Sequence, residues 1–382
     1  MTDRPILLAA GGTGGHVFPA EALAAEFATR ERPLVLMTDD RGDRYGGALS
    51  KVPVYTVTAG TITGGSPFAK LMGLVKAARG TFQARKILAQ LNPTIAIGFG
   101  GYPSLPTMLA AGWARIPTLI HEQNAVLGRV NRLLAPRVSA IALSFAATEK
   151  LGGSDHTKTQ IIGNPVRPEF ASTPEYVAPT EDGPIRLLVT GGSQGAGVFS
   201  SIVPSAVAAL PEALRDRLVI TQQCRPEDLS SVGEFYRGLG VHADLSTFFS
   251  TLPDRLGEAH LVVTRAGAST VSELAIAGRP AVLVPYPYAV DDHQGANAKI
   301  VQNLGAGWMM REDAFTQETL AKTLERLLTA PDVLSAAASK AKSNSQANAV
   351  TALADMADRL AIKNGGASSV PGRMVPDGEL AE

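Results

Sequence analysis

Ile6-Leu7-Leu8-Ala9-Ala10 runs into Gly11-Gly12-Thr13-Gly14-Gly15, and Ile185-Arg186-Leu187-Leu188-Val189-Thr190 runs into Gly191-Gly192-Ser193-Gln194-Gly195. At an offset of 180 residues, Gly11 matches Gly191, Gly12 matches Gly192, Thr13 matches Ser193 and Gly15 matches Gly195. An apolar run, a cluster of glycines and then a helical pattern reads as strand, tight loop and helix. Such a loop brings backbone N–H groups close to an anion at the positive end of a helix, an approach that side chains would block. Working outward, strand and helix patterns alternate: Pro33–Thr38, a long helix over 67–91, Thr94–Phe99, a helix over 105–114 and Thr118–His121. After the second loop come Leu218–Thr221, Leu261–Thr264 and Ala281–Pro285. Alternation of this kind predicts parallel sheets with helices on both faces. The fold class is α/β, with two doubly wound, Rossmann-like domains facing a cleft.

Two domains suit 382 residues at about 150 residues each. Residues 167–184 are rich in proline and polar side chains and read as the linker. The predicted division is 1–165, 166–343, a helix over 344–362 expected to pack back on the first domain, and a disordered tail over 363–382.

Composition removes several classes. Apolar residues make up 45% and charged residues 18%, so the chain can fill a core in each half. The single cysteine, Cys224, excludes a disulfide framework and a cysteine-based metal site, and suits a reducing compartment. There is no run long and apolar enough for a membrane span, and the N-terminus lacks a signal-peptide layout. Net charge is zero, but residues 1–166 hold 17 Lys or Arg against 10 Asp or Glu, and the remainder hold 18 against 25. Residues 44–121 carry Arg44, Lys51, Lys70, Lys76, Arg79, Arg85, Lys86 and Arg115 with no acidic residue. The first domain should therefore present a basic face to an anionic partner.

A third loop, Arg265-Ala266-Gly267-Ala268-Ser269-Thr270, also stands between a strand and a helix. The dipeptide Gly-Lys of a P-loop is absent, and Val17 replaces the third glycine of a dinucleotide fingerprint. Asp39, ending the second strand, keeps a dinucleotide-dependent oxidoreductase as one alternative. The second loop also fits G-x-S-x-G, which would make Ser193 the nucleophile of an α/β-hydrolase, with Asp254 and either His260 or His293 as partners. Against this, a matching loop 180 residues earlier holds Thr13 where Ser193 sits, which suits a bipartite ligand site better.

Further motifs accompany the loops: Gly100-Gly101-Tyr102-Pro103-Ser104, His121-Glu122-Gln123-Asn124, Gly163-Asn164-Pro165-Val166-Arg167 and Arg265 through Glu273. In order and spacing, from residue 6 to about 305, the series resembles the bacterial peptidoglycan N-acetylglucosaminyltransferases that convert lipid I to lipid II. The resemblance implies a glycosyltransferase fold of the B type. UDP-N-acetylglucosamine would bind the second domain and lipid I the first. An α-linked donor giving a β-1,4 product implies a single inverting displacement, with a general base on the muramyl 4-hydroxyl.

The match also implies roles for single residues. Thr13, Gly14 and Gly15 would lie between donor and acceptor, and Asn124 at a sugar position. Ser193 would hydrogen-bond the donor phosphate and Arg167 the nucleotide. Phe249 falls at the uracil position. Ala268, Ser269, Thr270, Val271, Ser272 and Glu273 would form a helix start suited to the diphosphate, with Glu273 on the ribose hydroxyls. Gln294 would meet the N-acetylglucosamine hydroxyls. For the base, His16 is the first candidate, since a histidine can accept a proton near neutrality, and Glu122 the second. No two Asp residues lie two apart, so no metal-binding Asp-x-Asp exists. The helix dipole and Ser193 are expected to stabilise the departing UDP; no cofactor is required, and a loosely held magnesium ion on the diphosphate stays compatible with this.

A lipid-linked acceptor requires a visit to the membrane. The resemblance therefore places the chain peripherally on the cytoplasmic face of the bacterial inner membrane, with cell-wall synthesis and division proteins as further partners. Phe68, Leu71, Met72, Val75 and Phe82 follow a helical stripe beside Lys70, Lys76 and Arg79. Taken alone, such a stripe is expected to face the domain core. The absence of acid over 44–121 argues for a wider surface turned to anionic lipid. Few aromatics and no recognisable motif argue against nucleic acid.

Overall fold

The computed structural model describes residues 4–12, 14–39, 47–60, 67–192 and 195–365. Thr13 and Ser193, on which expectations rest, lie outside the described residues, as does the stretch from 366 that reads as a disordered tail.

The first domain alternates strands β1 (Ile6–Ala9), β2 (Leu34–Thr38), β3 (Val54–Thr56), β4 (Ile95–Gly98), β5 (Thr118–Glu122), β6 (Ala140–Leu143) and β7 (Thr159–Ile161) with helices α1 (Gly14–Thr29), α2 (Pro67–Leu91), α3 (Gly101–Trp113) and α4 (Arg129–Leu134). All strands pair in parallel, in the order β3-β2-β1-β4-β5-β6-β7. The central strands β1, β4, β5 and β6 are buried along their whole length, as a parallel sheet covered on both faces requires.

The second domain repeats the plan. Strands β8 (Ile185–Thr190), β9 (Leu218–Gln223), β10 (His242–Ser246), β11 (Leu261–Thr264), β12 (Ala281–Leu283) and β13 (Gly307–Met309) form a parallel sheet ordered β10-β9-β8-β11-β12-β13. Its helices are α5 (Gly197–Ala208), α6 (Glu212–Arg215), α7 (Leu229–Gly238), α8 (Leu252–Glu258), α9 (Ala268–Ala277), α10 (His293–Asn303), α11 (Gln317–Leu328) and α12 (Pro331–Ser343). Both sheets therefore reverse direction of winding beside their first strand, the arrangement of the doubly wound fold.

The last helix, α13 (Ala349–Gly365), returns to the first domain. Leu353, Ala354, Met356 and Ala357 pack in one core with Ile6, Leu8, Leu23 and Phe27. Arg30 fixes it from outside, with Glu26 and Asp355 each at 2.7 Å and Asp358 at 3.1 Å. The helix begins five residues after 344 and runs three residues into the stretch predicted as tail.

Helix α2 corrects an expectation. Its buried face is made of small residues, Gly73, Ala77, Gly80 and Ala84, ending in Leu88. A Cβ on Gly80 would stand only 1.9 Å from the Thr58 carbonyl oxygen, so the helix approaches the 57–60 strand end closely because that face lacks side chains. The large apolar residues are left outside. Phe68 is 71% exposed, Leu71 58%, Val75 54% and Phe82 65%, with Met72 and Leu74 also exposed. The stripe expected to face the core faces away from it.

Candidate functional site

The carboxyl ends of both sheets open on one cleft of about 900 Å³. In a doubly wound sheet the ligand crevice forms where strand order reverses, here between β1 and β4 and between β8 and β11. Of the residues singled out from sequence, Gly15, His16, Glu122, Asn124, Ala268, Ser269, Thr270 and Gln294 line this cleft. Gly14, Arg167, Phe249, Val271, Ser272 and Glu273 are not on its walls. Phe249 is half-buried after β10, with the Arg255 guanidinium 5.8 Å from its ring.

The second glycine loop is closed on itself. A Cβ on Gly191 would meet the Ala196 nitrogen at 2.3 Å and the Gly195 carbonyl carbon at 2.4 Å, both backbone atoms that cannot move aside. Gln223 at the end of β9 pins the turn. Its Oε1 accepts from Thr190 Oγ1 at 2.9 Å and from the Gly191 N–H at 3.1 Å, while its Nε2 donates to the Gly192 carbonyl at 3.1 Å. Arg225 lies against this loop, beside the Gly195 and Gly197 backbone, and lines the cleft with no acidic partner among the described residues. Opposite it, α9 opens into the cleft at Ala268–Thr270, presenting the N–H groups of its first turn. The second domain thus offers an anion a helix start and the Arg225 guanidinium.

Gln294 on α10 accepts at Oε1 from the Ala266 N–H (3.2 Å) and the Tyr286 N–H (3.0 Å), which leaves its NH₂ for the cleft. Arg265 is nearly buried between the rings of Phe199 and Tyr286, at 5.2 and 5.4 Å, and pairs with Glu312 at 2.5 Å. Asn297 joins the two domains at the cleft floor. Its Oδ1 accepts from the Ala125 N–H at 2.8 Å, and its Nδ2 donates to Asn124 Oδ1 at 3.2 Å and to the Ala266 carbonyl at 3.0 Å. Asp291 makes a second bridge, to Arg132, to Lys150 at 3.4 Å and to Arg129 at 3.6 Å. Burial raises the Asp291 pKa, but Arg132 and Lys150 overcome it and hold the carboxyl below its ordinary range.

The two base candidates differ in what surrounds them. Glu122 is buried, and both its oxygens are occupied. Oε1 accepts from the Asn124 N–H at 3.0 Å and from Asn124 Nδ2 at 3.3 Å; Oε2 accepts from the Gly128 N–H and from Asn131 Nδ2, both at 2.8 Å. Its carboxylate holds the 124–131 loop in shape. His16, in the first turn of α1, stands against the backbone of Gly100 and Gly101, whose φ angles are 83° and 73°. A Cβ on Gly101 would press on His16 Cδ2 at 3.1 Å, so these glycines make the space for the ring. His16 Nδ1 faces Gln123 Oε1 at 3.2 Å, and Nε2 has no partner among the described residues.

Arg167 and Glu273 meet at the domain junction, 3.9 Å apart. The Arg167 guanidinium lies over Phe18 of the first domain and Phe170 of the linker, at 5.2 and 5.1 Å. Burial pushes the Glu273 carboxyl up to about 7, Arg167 offsetting only part of it.

Three of the residues that shape the cleft carried no role in the sequence reading. Gln123 and Arg265 lie inside the quoted motifs, so a signal was present. Arg225 stands outside every motif and is found only by its place beside the second glycine loop.

Residues 6–143 match the glycosyltransferase family 28 N-terminal domain, and residues 186–355 match the glycosyltransferase family 28 C-terminal domain. A protein of Paramagnetospirillum magneticum is 50% identical over 96% of this chain and 100% of its own length, and one of Rhodospirillum centenum is 49% identical over 100% and 99%. Both are named UDP-N-acetylglucosamine–N-acetylmuramyl-(pentapeptide) pyrophosphoryl-undecaprenol N-acetylglucosamine transferase. Among solved structures, Acinetobacter baumannii MurG superposes with a TM-score of 0.76 at 29% identity, covering 93% of this chain and 99% of that one. The calicheamicin glycosyltransferase CalG4 shares the fold, with a TM-score of 0.63 at 15% identity over 94% and 98% of the two chains. With both domains of one family matched in order on the two sides of one cleft, and with relatives half identical from end to end, this chain belongs to glycosyltransferase family 28.

Proposed function

We propose that the chain transfers N-acetylglucosamine from UDP-N-acetylglucosamine to the muramyl 4-hydroxyl of lipid I, forming lipid II for peptidoglycan, with inversion at the transferred carbon. The substrates follow from the names of relatives that match the whole chain. The observation that carries the chemistry is the arrangement across the cleft: His16, whose Nε2 has no partner among the described residues, on one side, the start of α9 and Arg225 on the other. The acceptor oxygen attacks C1 of the donor sugar, and the bond from C1 to the phosphate oxygen breaks. Its electron pair leaves with UDP, and the hydroxyl proton passes to His16 Nε2. The first-turn N–H groups of α9 and the Arg225 guanidinium stabilise the charge that develops on the diphosphate. Any magnesium travels with the donor rather than on a protein site. Family membership sets aside the hydrolase and oxidoreductase alternatives. Purified protein given UDP-N-acetylglucosamine and a water-soluble lipid I analogue should form the β-1,4 disaccharide, while UDP-glucose should not replace the donor. Absence of product with a donor that binds would overturn the acceptor assignment.

The exposed face of α2 supports attachment to a membrane surface. No helix among the described residues is long and apolar enough to cross a membrane. Phe68, Leu71 and Phe82 project outward beside exposed Lys70, Lys76 and Arg79, the composition of a helix that lies in an anionic interface. We propose the cytoplasmic face as the place of attachment, since anionic lipid and UDP-sugars occur together there. A cation near the surface contributes about 1 kcal/mol. Lys76→Ala should therefore weaken binding to anionic vesicles about fivefold at low salt, with donor affinity unchanged. Phe82→Ala should weaken the part of the binding that survives high salt. Vesicle binding untouched by either change would assign attachment to another surface.

A further inference from the structure

We infer that Gln123 is a positioning residue that fixes His16 in the Nδ1–H tautomer, so that Nε2 meets the acceptor hydroxyl as a bare lone pair. The inference rests on His16 being the proton acceptor of the proposed reaction. It follows from hydrogen-bond polarity along a chain of three side chains, of which His121 and Gln123 are buried.

The chain begins at the Gly163 carbonyl, which can only accept. His121 Nε2 lies 3.0 Å from it and therefore carries the hydrogen. His121 is fully buried, and burial pushes its pKa down to about 4, with the Gly163 hydrogen bond pulling the other way. The ring is neutral near pH 7, so its Nδ1 is bare and accepts from Gln123 Nε2 at 3.1 Å. That same Nε2 also faces the Phe99 carbonyl and the His121 carbonyl, each at 3.1 Å. All three neighbours are acceptors. Turning the amide over would place its oxygen against two carbonyl oxygens and a nitrogen lone pair, so one orientation is allowed.

In that orientation Oε1 faces His16 Nδ1 at 3.2 Å. An amide oxygen cannot donate, so Nδ1 of His16 must carry the proton and Nε2 is left without one. Free histidine side chains prefer the opposite tautomer. The Gly100 and Gly101 backbones hold the ring in the plane that keeps this bond. Gln123 is 1% exposed, so water does not compete for its oxygen. Glu122 and Asn124, its neighbours in sequence, are engaged elsewhere and do not reach Nδ1.

Long-range proton–nitrogen correlation spectra of the whole protein labelled with ¹⁵N-histidine test this, with His16→Ala assigning the His16 signals. The expected result is a protonated Nδ1 and bare Nε2 for His16 in the parent, lost in Gln123→Met. Gln123→Met should also lower kcat between about 3- and 10-fold, the worth of one hydrogen bond, with KM for UDP-N-acetylglucosamine unchanged. A parent in which Nε2 carries the proton would overturn the inference, as would a Gln123→Met variant that keeps the parent's His16 tautomer. Full activity in His16→Ala would instead overturn the base assignment and leave the tautomer measurement intact.

Discussion

His16→Ala should lower kcat by roughly 10²–10⁴-fold, the range for loss of a positioned general base, with little change in affinity for UDP-N-acetylglucosamine. The donor side of the cleft is built from α9, Gln294, Arg225 and the second glycine loop, whereas the hydrogen bond of the His16 ring runs to Gln123 of the first domain. The imidazole sits at the mouth of the first glycine loop on the acceptor side, in a pocket that only glycine at 100 and 101 permits. Glu122 is poorly placed to take over. Removing any of its four donors would unseat the 124–131 loop, so a carboxylate bound on both oxygens has a structural task already. A loss in His16→Ala smaller than tenfold would move proton transfer to another group.

The fold was legible because its signals are local. Ile6–Ala10 and Ile185–Thr190 are strand-like in themselves, and the glycines after them are required by contacts within the loop, such as Gly191 against Ala196. Reading failed where an answer depended on distant partners. The face that α2 buries was decided by the close approach of Gly80 to Thr58, which let small residues pack inward and left Phe68 and Phe82 outside. Periodicity shows that a helix has two faces; it does not show which one the neighbouring backbone can accommodate. Glu122 and His16 read alike as candidate bases, since each is a titratable residue in a motif. Only the surroundings separate them, and those come from residues 100, 101, 123, 128 and 131. The Asp291 bridge to Arg129, Arg132 and Lys150 joins residues some 140 to 160 positions apart, a pairing that no local pattern announces.

Glu273→Gln should weaken UDP-N-acetylglucosamine binding roughly 10–100-fold at pH 8, while making the unliganded protein more stable at that pH. The two effects share one cause. The carboxyl is buried on α9, with Arg167 its one ion-pair partner among the described residues, at 3.9 Å, and burial lifts its pKa from 4.5 to about 7. Below pH 4.5 the group is protonated in both folded and unfolded chains, and its contribution to stability is fully present. As pH rises toward 7 the unfolded chain ionises first, and stability is lost through that window, by up to roughly 3 kcal/mol at 1.36 kcal/mol per unit. Glutamine has no charge to bury, so the variant should show no such loss. In the proposed donor complex the ionised carboxylate accepts from both ribose hydroxyls, and hydrogen bonds to a charged group are worth roughly 1.5–3 kcal/mol. Parent affinity for the donor should therefore rise with pH through about 7, over the same interval in which unliganded stability falls. The donor's diphosphate is esterified at both ends and does not titrate there, so the pH dependence belongs to the protein. Calorimetric titration across pH 5.5–8.5, with melting curves of both proteins, measures both effects. If the variant binds as tightly as the parent, Glu273 does not hold the ribose, and its burial beside Arg167 serves the domain junction alone.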